Sequence, residues 1–234
     1  MGARSQHDAL RLRETRLSGP YRAVVFDLDG VLWDGEPLYH EAFNVVLRPY
    51  GKIVTPEAYR HIIGSSTEAA WQWVLDHLGI DEPIGGFLRK YDVTVMEMLD
   101  SPIEPLPGVR DLLAALQTRG APLALATASF RNWADATLSG IGLAGTFQAT
   151  ATASEVKHAK PAPDLYLMAA KQLGIDPALC VAVEDSLNGV RSAKDAGMFT
   201  IQSRVSSTAL PSIEEADRVI ERYDEFDFGL LTGA

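Results

Sequence analysis

Val24-Val25-Phe26-Asp27-Leu28-Asp29-Gly30-Val31 is an apolar run that ends in two carboxylates two residues apart, followed by a glycine. It reads as a buried strand carrying two acids to its C-terminal tip, the edge at which open α/β sheets bind ligands. A strand places residues i and i+2 on one face, so Asp27 and Asp29 look into one crevice while Leu28 points into the core. Two carboxylates this close repel each other unless a hard cation such as Mg2+ lies between them or one stays protonated as a proton donor. Both arrangements suit phosphate chemistry. A tight turn closing the strand, where Asp and Gly are favoured on backbone grounds, accounts for the same residues without any function.

From Tyr21 onward, β-like apolar runs alternate with helix-like stretches, the pattern of a parallel sheet covered by helices. Strands are predicted at Ala23–Asp27, Pro122–Thr127, Thr146–Ala149, Cys180–Val183, Phe199–Gln202 and Arg218–Ile220. Helices are predicted at Val109–Thr118, Trp133–Ser139, Pro163–Leu173 and Gly189–Ala196, with Gly120, Gly174 and Gly197 as left-handed caps. Residues 36–105 break this rhythm. Four pieces with helical spacing, Leu38–Leu47, Pro56–Ile63, Glu68–Leu78 and Ile84–Leu99, read as a helical insertion. The breakers at Asp34–Pro37 and the prolines of Ser101–Gly108 are its outgoing and return linkers. The expected organisation is a flexible N-terminal extension over 1–20, an α/β core over 21–35 and 106–234, and a helical cap over 36–105. The fold class is α/β, a Rossmann-like parallel sheet with helices on both faces plus the inserted cap.

The chain has 234 residues, 47% of them hydrophobic, enough for a sizeable core. Its net charge of -10 opposes a general attraction to nucleic acid or to anionic membranes. Small molecules are the expected partners, for a monomer or weak homodimer. The single cysteine, Cys180, excludes an internal disulfide and reads as a buried strand thiol, in keeping with a reducing cytoplasm. The first twenty residues hold four arginines and no apolar segment, so no export is expected.

Three further segments end in chemistry-capable groups, and the C-terminal ends of parallel strands face one side. Leu123–Ser129 ends in two hydroxyls, Thr127 and Ser129, suited with the adjacent backbone N–H groups around Ala128 to holding an oxyanion; Ser129 equally fits a helix N-cap. Lys160 stands in His158-Ala159-Lys160-Pro161-Ala162-Pro163-Asp164, where two prolines stiffen the loop. Such a lysine can neutralise a carboxylate and a phosphoryl oxygen together, although an isolated lysine is by default solvated. Val181–Ser186 ends a third apolar strand in Glu184 and Asp185, which complete a metal site; Asp185 alternatively caps the helix that follows.

The ordered set DLDGV at Asp27, ATAS around Thr127, KPAPD from Lys160 and VEDS around Asp185 resembles the haloacid dehalogenase superfamily of phosphohydrolases, in particular members with a helical cap, such as the β-phosphoglucomutase-like and phosphoglycolate phosphatase-like proteins. The resemblance covers roughly residues 21–202. It implies that Asp27 is the nucleophile and Asp29 the general acid/base, and that Thr127 and Lys160 hold the transferring phosphoryl group. It also implies Mg2+ bound by Asp27, the Asp29 backbone carbonyl and Asp185, with Glu184 an additional or supporting acid. The implied activity is hydrolysis of a small phosphomonoester, a sugar phosphate or related metabolite, through an aspartyl-phosphate. Sugar phosphomutase is the alternative; dehalogenation or a non-catalytic binding module fits less well.

Substrate choice is expected to lie in the insertion. Mutase-like members carry a histidine shortly after the first motif and an arginine in the early cap; here Tyr39 precedes His40, and Gly64-Ser65-Ser66-Thr67 has no arginine. Tyr39, His40 and Arg131 are candidate contacts for the leaving group, as are Arg89 and Lys90, each of which also reads as a solvated charge. Trp71 and Trp73 cannot face one side of a helix, so at most one of them is a pocket wall.

Overall fold

The computed structural model describes residues 19–209 and 211–232. Six parallel strands form one sheet: β1 (Ala23–Phe26), β2 (Leu123–Thr127), β3 (Ala149–Thr152), β4 (Cys180–Glu184), β5 (Phe199–Ser203) and β6 (Arg218–Ile220). Their order is β3-β2-β1-β4-β5-β6. Every residue of β1, β2 and β4 is buried, so both faces of the sheet's centre are covered, as near-continuous Val/Leu/Ala runs require. The order reverses between β1 and β4, and the crevice beyond the carboxyl ends of strands at such a switch point is where open α/β sheets take ligands.

The helices are α1 (Glu36–Leu47), α2 (Pro56–Tyr59), α3 (Thr67–Leu78), α4 (Ile84–Leu99), α5 (Val109–Thr118), α6 (Arg131–Gly140), α7 (Asp164–Leu173) and α8 (Leu187–Asp195). One sheet face is lined by small side chains, Ala124, Ala126, Ala149, Ala151 and Ala182, and packs with Leu165, Tyr166, Ala169 and Ala170 of α7 and Ala193 of α8. Small residues on both sides let these helices approach the sheet closely, which brings Tyr166 within reach of the β4 tip. The chain divides into two units, one formed by residues up to Asp34 and from Glu104 onward, the other by Gly35–Ile103. Within the second, α1 and α3 pack on α4 around Phe43, Trp71, Phe87 and Tyr91, with ring centroids 4.5–5.6 Å from Trp71.

Some sequence expectations need correction. The third strand starts at Ala149, not Thr146, because a turn with its hydrogen bond from Thr146 N to Leu143 O (3.1 Å) occupies the residues before it. The alternating Ala-Thr run that does form the strand has too little hydrophobicity to stand out. The expected helix Pro56–Ile63 stops at Tyr59; residues beyond it close i→i+3 turns up to the left-handed Gly64, since two β-branched isoleucines and a glycine oppose helix continuation. Helix α8 starts two residues early, at Leu187, because Ser186 Oγ accepts from Gly189 N at 3.0 Å. Ser186, not Asp185, is therefore the cap. The glycines at 120, 174 and 197 have φ of 69°, 68° and 85°, as helix-closing residues do. The expected N-terminal extension lies, up to residue 18, outside the described residues; Gly19 and Tyr21 donate to Leu231 and Leu230 carbonyls at 2.9 and 3.1 Å.

Candidate active site

β1 ends at Phe26, one residue short of the first acid, and Asp27 continues its line by donating its N–H to the Val183 carbonyl at 3.0 Å. The chain then turns tightly on itself, with Leu32 N on the Leu28 carbonyl (2.8 Å) and Gly30 N on the Trp33 carbonyl (2.8 Å). Asp29 is thus aimed by a turn, and the expectation that strand alternation alone directs both acids is corrected. Gly30 holds the turn at a φ of +76°, and a Cβ there would lie 2.0 Å from Asp185 Oδ2. Only a glycine allows both this backbone and that approach.

From β4 come Glu184, fully buried, and Asp185 beside it. Glu184 Oε1 accepts from Lys160 Nζ at 2.5 Å and from the Tyr166 hydroxyl at 2.8 Å. Its Oε2 accepts from Asp185 N (3.0 Å), Ser186 N (3.2 Å) and Ser186 Oγ (3.2 Å). Lys160 Nζ also donates to Asp27 Oδ1 at 2.6 Å, so one ammonium spans the tips of the two strands that flank the switch point. The loop carrying it is held by Ala162 N on the Ala159 carbonyl (3.0 Å) and by Ser192 Oγ of α8 on the Ala162 carbonyl (2.6 Å).

From β2 comes Thr127, 1% exposed, whose Oγ accepts from Ser129 N at 3.0 Å. With a lone pair engaged, the threonine hydroxyl has its own proton to give. Ser129 is not the N-cap of α6, which is Phe130; its hydroxyl donates instead to Asp29 Oδ2 at 2.8 Å. Ala128 is exposed at the sheet's rim.

The charge balance of this cluster is uneven. Burial, countered by Lys160 and reinforced by Glu184 and Asp29, pushes the Asp27 carboxyl up to about 7. Asp185 is raised well above its ordinary range by burial and by Glu184 and Asp27. Burial opposes the charge on Lys160, but Asp27 and Glu184 outweigh it and hold the ammonium firmly protonated. Were buried Asp27 and Glu184 and half-buried Asp185 all ionised, the Lys160 ammonium alone would leave an excess of negative charge, and burial together with that excess is what raises Asp27 and Asp185. Carboxylate oxygens of Asp27, Glu184 and Asp185 lie within 4.8 Å of one another, a set of hard oxygen donors that fits a divalent cation such as Mg2+. Asp27 and Asp185 fit it best, since both oxygens of Glu184 already accept hydrogen bonds.

The remaining candidates have partners of their own. The Arg131 guanidinium donates to the Thr150 carbonyl at 2.7 Å and to Glu155 Oε2 at 2.5 Å, so it braces α6 on β3. In the helical unit, His40 Nε2 donates to the Val54 carbonyl at 2.6 Å, along a groove of about 420 Å3 that also includes Asn44, Arg48 and Lys52. The Tyr39 carbonyl accepts from the Tyr91 hydroxyl at 3.4 Å. Arg89 and Lys90 are exposed. Trp71 is buried in the aromatic core, and Trp73, half-buried, stacks on His77 at 4.5 Å, so the two do face different surroundings. Sequence reading passed over Tyr166 and Gly189. A tyrosine in the helix after the Lys160 loop and a glycine inside a short helix are the only traces these two leave in the sequence.

A family model described as haloacid dehalogenase-like hydrolase matches residues 21–197. The chain is 34% identical over 185 residues to a phosphorylated carbohydrates phosphatase of Thermotoga maritima, covering 79% of this chain and 86% of that one. It is 35% identical to the fructose-1-phosphate phosphatase of Escherichia coli, over 79% of this chain and 97% of the relative. Among solved structures, CbbY from Rhodobacter sphaeroides in complex with phosphate superimposes with a TM-score of 0.75 at 28% identity, covering 88% of this chain and 96% of that one.

Proposed function

The chain belongs to the haloacid dehalogenase-like hydrolases and is a phosphatase of that family, and we propose that it hydrolyses a small phosphorylated sugar or related metabolite, with Mg2+, through an aspartyl-phosphate on Asp27. The observation that carries this reading is the Lys160 ammonium, 2.6 Å from Asp27 and 2.5 Å from Glu184, at the tips of β1 and β4. Phosphoryl transfer asks the protein chiefly for an in-line nucleophile and for neutralisation of the equatorial oxygens. Asp27 supplies the first. Lys160 and the hydroxyl of Thr127 contribute to the second.

In the first half-reaction an Asp27 oxygen attacks phosphorus, the bond from phosphorus to the substrate oxygen breaks, and Asp29 donates its proton to the departing alkoxide. The Ser129 hydroxyl donates to Asp29 Oδ2 at 2.8 Å and so holds this carboxyl in orientation. In the second, Asp29 takes a proton from water as that water attacks the aspartyl-phosphate; the bond to Asp27 breaks and inorganic phosphate leaves. Asp27, Asp185 and the Asp29 carbonyl would hold Mg2+, which when bound would supply positive charge against the repulsion between a carboxylate nucleophile and a phosphate dianion. The same charge would favour the ionised form of Asp27. The insertion expected over residues 36–105 is the cap that selects the leaving group, and the protein works as a monomer or weak homodimer in the cytoplasm, where the buried Cys180 stays reduced.

A phosphate-release screen over sugar and glycolytic phosphomonoesters, with and without Mg2+, tests the reading. Wild type should release phosphate from at least one hexose phosphate, and Asp27→Asn should retain the fold and lose turnover. Conversion of a hexose 1-phosphate to its isomer without net phosphate release would identify a mutase instead, and ordinary turnover by Asp27→Asn would remove Asp27 from the mechanism.

A further inference from the structure

Tyr166 is the third residue of α7 and has no exposed surface. On a sheet face lined by alanines a phenylalanine would fill the same space, and burying the extra hydroxyl is unfavourable unless it is hydrogen-bonded. The hydroxyl donates to Glu184 Oε1 at 2.8 Å, the oxygen that accepts from Lys160 Nζ at 2.5 Å. The same ammonium lies 5.3 Å from the centroid of the Tyr166 ring. The phenol therefore meets both members of the ion pair, the carboxylate through its O–H and the ammonium through its ring.

A lysine ammonium is a point charge on a flexible stem, and its position depends on what competes for it. Here Asp27 Oδ1 and Glu184 Oε1 pull it in two directions. The donor from Tyr166 takes up part of the accepting capacity of Oε1 and so weakens the pull of Glu184 on Lys160. Without it the ammonium would settle toward Glu184, away from Asp27 and from an arriving phosphoryl oxygen. We propose that Tyr166 is a positioning residue: its hydroxyl shares Glu184 Oε1 with Lys160 and thereby keeps the ammonium available to Asp27 and to the phosphoryl group. The proposal rests on the hydrolytic reading given above, and it assigns the phenol a part in phosphate affinity.

The test compares wild type, Tyr166→Phe and Leu165→Val, a neighbouring core change on α7, using 4-nitrophenyl phosphate turnover and the affinity for inorganic phosphate by calorimetry and by inhibition. Losing an outer hydrogen-bond partner of a metal ligand typically costs about 10- to 100-fold in affinity or activity, and the lower end suits a partner one step removed from a bound phosphate. Tyr166→Phe should therefore raise KM and the phosphate dissociation constant by about that factor, with a smaller fall in kcat, while its melting temperature stays near wild type. Leu165→Val should lower the melting temperature and leave phosphate affinity unchanged. Tyr166→Met, which also lacks the hydroxyl, should weaken phosphate in the same direction, and serves if the phenylalanine variant does not fold. Unchanged phosphate affinity in the hydroxyl-less variants overturns the proposal, as does a loss matched by Leu165→Val. A wild type that turns over no phosphomonoester overturns the hydrolytic reading instead, and direct phosphate binding still decides the role of Tyr166.

Discussion

Gly189 is the position where the structure reverses an ordinary expectation. It lies inside α8, and replacing a helical glycine by alanine normally stabilises a protein by about 1 kcal/mol through helix propensity. A Cβ added here would stand 1.9 Å from Glu184 Cδ, 1.9 Å from Oε1 and 2.1 Å from Oε2. An overlap with the end of a flexible side chain is often relieved by rotation. Glu184 cannot rotate cheaply: it is fully buried, and five donors from Lys160, Tyr166, Asp185 and Ser186 fix both of its oxygens.

Overpacking of this kind costs about 1–3 kcal/mol, and a hydrogen bond lost from a buried charged group adds about 1.5–3 kcal/mol. Set against the propensity gain, Gly189→Ala should be destabilised by roughly 2–4 kcal/mol, which for a chain of this size lowers the melting temperature by roughly 5–15 °C. A displaced Glu184 also releases Lys160 from its place beside Asp27, so kcat/KM should fall by about tenfold or more. Thermal denaturation followed by circular dichroism, with steady-state hydrolysis of a phosphomonoester on the same preparation, gives both numbers. A melting temperature that rises by about 2–4 °C with unchanged kinetics, the result of propensity acting alone, would refute the reasoning.

Asp29→Asn should retain phosphate binding and slow turnover by about 10²- to 10⁴-fold, the usual contribution of a positioned acid; pre-steady-state kinetics checks it, and a full rate would assign the proton transfer elsewhere. The folded-state carboxyl of Asp27 is raised from 3.8 to about 7, so between those values the folded protein holds a proton that the unfolded chain has released. The stability from this group is therefore present below about pH 4 and lost as the pH rises through about 7, and Asp185 shifts in the same direction. In chelator, the melting temperature of wild type relative to Asp27→Asn should fall between about pH 4 and 7 and level off above that, and Mg2+ should reverse the fall by binding the ionised carboxylates. A difference that grows with pH would contradict this sign. Arg131→Ala should lose about 1 kcal/mol of stability with the Glu155 and Thr150 contacts and alter KM less than twofold; a large rise in KM would make Arg131 a substrate contact after all.

The site was readable in the sequence to the extent that its signals are local. An apolar run ending in Asp27, in Thr127 or in Glu184-Asp185 announces a strand and the group at its tip within eight residues, and the parallel topology then collects those tips on one edge. What stayed hidden is which partner each group takes. Ser129 caps nothing and reaches Asp29 across a hundred residues of chain; Arg131, a basic residue at a helix start, is held by Thr150 and Glu155. Neither choice has a signature in composition or periodicity, because each is decided by register between strands. The Ala-Thr run of β3 fails for a different reason, being too weakly apolar to register as a strand although it pairs fully with β2.

The same distinction explains why the charge imbalance at the site is a stronger functional sign than any single motif. Each acid, read alone, has an ordinary structural use as a turn former or helix cap. Folding places three of them around one lysine, with Gly30 and Gly189 left without side chains so that Asp185 and Glu184 can come close. An arrangement made only for stability would spread these charges or match them with more cations, since unmatched buried carboxylates weaken the fold. A cluster short of positive charge, built on close approaches that two glycines make possible, is suited to a ligand that supplies the missing charge and to a reaction that uses it.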